Sequence, residues 1–292
     1  MSDSDGPARA FEAERPHLRA VAYRMLGSTS EAEDAVQEAW LRLERSDAAE
    51  IENLRAWLTT VVARIALNML RSRGTRAEQP LERLPDPIVD PIDGTDPEHE
   101  ALVADSVGLA LLMVLETLGP AERLAFVLHD MFAVPFDEIG TIVDRSPDAA
   151  RQLASRARRR LRASDAMPEA DLAAQRELVE AFLAASREGD FEGLVALLHP
   201  DVVLRADFGP PRGVEVVRGR DAALEQARSY AELGLAAELV LVNGAPGTLT
   251  LRDGRPFSVG AILVREGRIA EIDFLGDPER LEALDLSRLP RP

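Results

Sequence analysis

The chain has no cysteine among its 292 residues. That excludes disulfides, thiolate zinc sites and cysteine nucleophiles, and it fits a reducing compartment. Lysine is absent as well, so all 34 basic residues are arginine. A single arginine therefore says less about selected guanidinium chemistry than it would in a chain that also uses lysine. Aromatic residues make up only 4% of the chain, so the core must be built from Leu, Val, Ile and Ala. No apolar run approaches the ~18 residues of a membrane span. The start, MSDSDGPARAFEAERP, is polar and acidic, unlike a signal peptide. The expectation is a soluble cytoplasmic protein with no membrane partner. There is no metal-ligand spacing, Walker loop or dinucleotide fingerprint, so neither a metal nor a cofactor is expected.

What is present is negative charge, unevenly spread. The net charge is -17, yet seven of the basic residues fall between Asp144 and Ala163, against two acids. From Glu82 to Asp105 the balance reverses to eight acids and one base, Arg83. A chain divided in this way binds a polyanion with one segment while others repel it. The length suggests two or three domains at about 150 residues each or fewer. Residues 9–76 and 106–163 carry the 3–4 apolar spacing of helices, with Ser30 as an N-cap and Glu33 completing a capping box. Residues 77–105 hold five prolines and read as an extended acidic linker. The apolar residues Leu84, Ile88, Val89 and Ile92 within it ask for a docking surface. Residues 172–286 begin as a helical pair and then alternate like strands, with hairpin turns at Asp253-Gly254 and Glu266-Gly267. This last module reads as α+β.

The cationic segment is punctuated as a helix, with Ser146 at the N-cap and Pro147 in the first turn. Ala150, Leu153, Ala157 and Leu161 fall on one stripe for burial. Upstream, FDEIGTIV is a short helix with Gly140 at a close crossing, and Asp144 tolerates the left-handed conformation of the turn. Together they form a helix-turn-helix. Such a motif presents the N-terminal residues of its second helix to base edges. Asp148, Ala149, Arg151, Gln152 and Ser155 occupy that reading end, with Arg151 suited to guanine and Gln152 to adenine. Arg156, Arg158, Arg159 and Arg162 suit phosphates. The plainer alternative is a solvated helix whose cations offset the acidic linker.

The blocks SEAEDAVQEAWLRL, NLRAWLTTVVARIALNMLRSR and PAERLAFVLHDMFAVPFDEIGTIVDRSPDAARQLASRARRRL resemble the two conserved domains of extracytoplasmic-function sigma factors of the sigma-70 class. The remainder resembles the SnoaL-like domain, a cone-shaped α+β fold related to nuclear transport factor two. The resemblance implies a multidomain chain: two all-α helical sigma domains, the second a helix-turn-helix, followed by the α+β cone. It implies core RNA polymerase and promoter DNA as partners. By resemblance, the helix Ala32–Trp40 docks on polymerase through Glu33, Asp34, Gln37 and Glu38, although an acidic amphipathic helix is equally read as plain surface. The segment Asn53–Arg73 would read the melted -10 element, with Arg64, Asn68, Arg71 and Arg73 along one face. The loop from Ser46 to Glu52 would take a flipped base, and Trp57, at an apolar position, reads as core. Leu84, Pro85, Asp86 and Pro87 resemble a Leu-Pro-Glu-Pro linker signature of one group carrying this extension. That group also has an Asp-Gly-Gly-Gly loop. Here Asp207 matches it, but Phe208, Pro210 and Pro211 replace glycines, so a regulatory contact assigned to that loop in the group is not carried over to this chain.

Catalysis inside the cone would need an acid-base pair. His199, Asp201, Asp207 and Asp273 are the candidates, and none forms a convincing one. His199 and Asp201 read as parts of a capped turn, and Asp273 falls on the strand face opposite Ala270, Ile272 and Phe274. The expectation is a non-enzyme whose cone regulates the sigma part, through a pocket for a small ligand or for the linker. Two alternatives stay open. One is a polymerase-independent helix-turn-helix regulator with the cone as ligand sensor. The weaker is a cyclase fused to a docking module.

Overall fold

Apolar residues at 3–4 spacing build three helices at the start of the computed structural model. The residues described are 5–46, 51–75, 83–94, 108–163, 171–235, 237–287 and 289. Helix α1 (Asp5–Leu26) buries Phe11, Leu18, Val21, Ala22 and Met25. It packs against α2 (Thr29–Glu44) and α3 (Leu54–Thr75). The N-cap of α2 is Ser28, not Ser30. The Ser28 side chain accepts from the Glu31 amide, so the serine–glutamate pair lies two residues earlier than the pattern suggested.

The second helical block starts in α4 (Leu109–Glu116) and continues through α5 (Pro120–Phe126), a π-helical turn at Val127–Met131, α6 (Phe136–Val143) and α7 (Pro147–Ala163). The described residues up to 75 and from 114 to 163 form one compact unit. Within it, the buried guanidinium of Arg123 donates to the Arg24 carbonyl at 3.2 and 3.1 Å and pairs with Glu116 at 2.7 Å. The two blocks thus pack together around a buried arginine, which satisfies a carbonyl in the last turn of α1.

The second compact unit comprises the described residues from 83 to 113 and from 171 onward. Asp171 caps α8 (Leu172–Glu188), accepting from the amides of Ala173 and Ala174, and Asp190 caps α9 (Phe191–Leu197). The strands are β2 (Leu198–Asp207), β3 (Val214–Arg218), β4 (Ala237–Val242), β5 (Ala245–Arg252), β6 (Arg255–Arg265) and β7 (Arg268–Leu275), with helix α10 (Arg220–Ala231) between β3 and β4 and α11 (Pro278–Glu282) after β7. The sheet runs β1 (Val89–Asp90), β4, β5, β6, β7, β2, β3, antiparallel except for β2 beside β7. Its edge strand β1 comes from the linker. Helices α8 and α10 cover one face, packing Val179, Leu183 and Ala223 on Leu204, Ile262 and Ile272. Both expected hairpin turns hold a left-handed pair, Asp253-Gly254 and Glu266-Gly267. A third left-handed pair, Asn243-Gly244, joins β4 to β5.

Candidate nucleic-acid interface and linker clamp

The helix-turn-helix is set by its turn. Asp144 ends α6 in the left-handed conformation, at φ 59° and ψ 51°. A Cβ on Gly140 would lie 2.8 Å from the Arg145 carbonyl oxygen. The glycine is therefore required by the backbone of the turn, not by a helix crossing. Ser146 caps α7, accepting from the Ala149 amide at 3.2 Å. The buried stripe is Ala150, Ala154, Ala157 and Leu161, at 4-3-4 spacing, and Leu153 beside it is only half-buried.

At the reading end, Asp148, Arg151, Gln152 and Ser155 are exposed and Ala149 is half-buried. Arg151 pairs with Asp148 one turn earlier and lies over the Phe136 ring, 5.3 Å from its centroid. The later arginines divide into two sets. Arg156 and Arg160 both bond Glu122, at 2.8 and 3.1 Å, and Arg158 bonds Asp130 at 2.7 Å. Arg159 and Arg162 are exposed and have no partner among the described residues. The sequence reading missed this internal neutralisation, because Glu122 and Asp130 lie 28 to 38 residues away along the chain.

On α3, Arg64, Asn68 and Arg71 are exposed on one face, and the Arg64 guanidinium donates to the Thr141 carbonyl at 3.3 Å. Arg73 departs from that face. It is half-buried, donates to the Leu26 carbonyl at 3.2 Å and pairs with Glu31. It closes the corner between α1 and α2, where the last carbonyls of one helix and an acid in the first turn of the next attract a cation. Trp57 is half-buried rather than core. Of the loop from Ser46 to Glu52, residues 47–50 lie outside the described residues. On α2, Asp34 and Gln37 are exposed. Glu33 is held by Arg15 and Arg19, and Glu38 by Arg42 at 2.9 Å.

In the second unit, every residue from Leu84 to Asp90 is buried, Pro85 and Pro87 included. Arg280 on α11 is the hub. Its guanidinium donates to Asp86 at 2.9 Å, to Asp207 at 2.6 Å and to the Leu84 carbonyl at 2.6 Å. Asp207 in turn accepts from the Leu84 amide at 2.8 Å and the Gly209 amide at 3.0 Å. The loop that departs from the group's glycines thus contacts the linker through its matching aspartate, Asp207. Farther along, Asn243 and Ile88 exchange bonds of 2.8 and 3.2 Å, and Val89 pairs with Val242 in the sheet.

Residues 10–76 match Sigma-70 region 2, residues 108–161 match Sigma-70 region 4 and residues 179–272 match the SnoaL-like domain. The ECF RNA polymerase sigma factor SigJ of Mycobacterium tuberculosis is 42% identical over 288 residues, covering 92% of this chain and 91% of that protein. The chain belongs to the extracytoplasmic-function sigma factors. A second relative, the probable sigma factor SigI of the same species, is 34% identical over 97% of this chain and 98% of its own length. The crystal structure of Mycobacterium tuberculosis SigJ covers 96% of this chain and 99% of its own, at a TM-score of 0.79 and 38% identity. This sigma factor thus carries its SnoaL-like domain fused at the C-terminal side, and the linker is built into that domain's sheet. Among the described residues, no helix is long and apolar enough to cross a membrane.

The candidate acid-base residues of the cone do not meet inside it. His199 and Asp201 lie within β2, not in a turn, where the His199 Nδ1 accepts from the Asp201 amide at 3.2 Å. The register of β2 against β7 shifts between Leu198 and Val203, at the stretch that reads as a turn in the sequence. Asp207 serves the linker. Asp273 lies opposite the chamber-facing Ile272 and Phe274, paired with Arg205 at 2.8 Å, and Arg205 also holds Glu271 at 2.7 Å.

The buried Asp273 and the half-buried His17 shift in opposite senses. Burial pushes the Asp273 carboxyl up to about 6, against the pull of Arg205. Burial and the neighbouring Arg55 and Arg24 lower His17 to about 4. His17 contacts Thr59 at 3.1 Å and meets Phe132 edge-on, so it sits where the two sigma blocks pack. As the pH falls from about 6.5 towards 4, the unfolded state protonates His17 before the folded state does, and that stability is lost. As the pH rises through about 6, the folded state loses the Asp273 proton that the unfolded state had released near 3.8, so stability present at low pH is lost. Denaturant titrations at pH 4.5 and 7 are expected to show that His17→Asn flattens an acid-side loss. In the same titrations, Asp273→Asn removes an acid-side gain.

Proposed function

We propose that α7 reads the -35 element and the exposed face of α3 contacts the -10 strand, while Asp34 and Gln37 with their neighbours on α2 dock on core RNA polymerase. The observation that carries this reading is the helix-turn-helix end itself. Its capped N-terminus leaves Asp148, Arg151, Gln152 and Ser155 open to a major groove, and Arg159 and Arg162 stand behind them for phosphates. The family relationship supplies the polymerase, and the relatives are themselves named as polymerase sigma factors. Run-off transcription with purified core polymerase and a promoter library tests it. Core-dependent transcripts sharing a -35 and a -10 sequence are expected. Promoter binding that gains nothing from core would instead make the chain a polymerase-independent regulator.

The C-terminal domain has a regulatory rather than a catalytic role in this reading. Its buried acid is neutralised by an arginine on the face away from the chamber, and its α11 and β4 hold the linker between the two sigma blocks. Fixing Leu84 to Asp90 against this domain, with Val89 and Asp90 in its sheet, limits how far the chain flanking it can extend, which biases the arrangements open to the helical domains.

A further inference from the structure

Two stacked rings accompany the arginine at the reading end of α7. Phe136 opens α6, and its half-buried ring lies under the Arg151 guanidinium, 5.3 Å from centroid to guanidinium carbon. His129 stacks on the Phe136 ring, with centroids 3.8 Å apart and planes at 26°. The histidine is itself tied to backbone. Its Nδ1–H donates to the Val134 carbonyl at 3.0 Å, and the Val134 amide donates to the Leu128 carbonyl at 2.9 Å. His129 belongs to the π-helical turn at Val127–Met131, a local departure from α-helix of the kind that often marks functional positions. On Arg151, Asp148 engages Nη1. Nε and Nη2 have no hydrogen-bond partner among the described residues.

The Arg151 side chain is 57% exposed. An exposed arginine without fixed contacts samples many rotamers, and fixing it on a base edge loses that freedom. The loss weakens binding to the correct base but not to a wrong one, where the side chain stays loose. It therefore subtracts directly from discrimination. A ring at cation–π distance and a carboxylate one turn back restrict the side chain before DNA binds. They leave Nε and Nη2 for the paired acceptors of a guanine edge. We infer that Phe136, held by His129, is a positioning residue for base recognition, presetting the Arg151 guanidinium for one base of the -35 element. The inference rests on the reading of α7 as the -35 reader.

Two measurements test it, one of them without DNA. In NMR of the free full-length chain, the Arg151 side-chain protons, assigned by their loss in Arg151→Ala, should be displaced by the ring current of Phe136. Phe136→Leu should abolish that displacement and Phe136→Tyr should keep it. On the assembled holoenzyme, promoters varied at the base position where Arg151→Ala relaxes preference are compared. Phe136→Leu should reduce preference there about two- to fivefold, the scale of an exposed cation–π contact, and leave the other positions unchanged. Phe136→Tyr should retain the preference, and Phe136→Leu should add nothing in the Arg151→Ala background. A purely structural role for Phe136 would instead weaken binding to all promoters alike in both backgrounds, which would overturn the inference. So would an Arg151 signal without ring-current displacement in the unaltered chain, a test that holds even if Phe136→Leu does not fold. Loss of preference in Arg151→Ala but not in Phe136→Leu overturns the positioning role alone. No loss in Arg151→Ala overturns the reading of α7 and the positioning role with it.

Discussion

Arg280→Ala is expected to free the linker and to destabilise the C-terminal unit by roughly 3–5 kcal/mol, the range for removing one partner of a buried ion pair. The side chains of Arg280, Asp86 and Asp207 are 10%, 9% and 2% exposed. Without the guanidinium, two carboxylates face each other in a site that excludes water, and the Leu84 carbonyl loses its donor. Arg83 still reaches Asp86 at 3.0 Å, but it is more than half exposed and cannot replace a buried cation. Arg280→Lys should recover only part of the loss, because one ammonium cannot match the planar fork that spans Asp86, Asp207 and a carbonyl. Denaturant unfolding measures the stability change. Hydrogen exchange at Val89 and Asp90, whose strand pairs with β4, measures the release. Unchanged protection there would show that the sheet pairing and the Asn243 bonds hold the linker without Arg280. The same variant in run-off transcription tests the regulatory role: output indistinguishable from wild type across promoters would end it.

The recognition helix should separate into a reading end and a positioning end. Arg151→Ala is expected to lose about 1–3 kcal/mol at one base position and to relax specificity there. Arg159→Ala should weaken binding to all sequences alike and lower the salt slope by about one. Pairing inside the protein adds a third expectation. Glu122→Gln releases Arg156 and Arg160, both of which it holds. It should raise affinity for every sequence and steepen the salt dependence, while leaving sequence preference unchanged. Measurements belong on the assembled holoenzyme at several salt concentrations. Identical specificity profiles for Arg151→Ala and Arg159→Ala would remove the division. A gain confined to one sequence in Glu122→Gln would move Arg156 or Arg160 to the reading end.

Local chemistry made the helix-turn-helix legible in the sequence. A capping serine, a proline in the first turn, a left-handed aspartate and a row of arginines all act within a few residues of one another, and the structure places each of them in the turn or on α7. The alternation of the C-terminal strands and two of the hairpin turns are short-range in the same way. What the residues do across the chain was decided by tertiary structure. Arg73 has the spacing of a phosphate contact but turns to the carbonyl left open at the end of α1. Arg156, Arg158 and Arg160 look free in sequence but are paired with acids on other elements. The linker carries apolar residues that call for a cover, but nothing local says that Val89 and Asp90 become a sheet edge. Nor does anything local say that Arg280, 194 residues beyond Asp86, closes the clamp. Helix caps and strand alternation depend on neighbours along the chain, whereas buried charges and edge strands are matched only by partners that folding brings from far away.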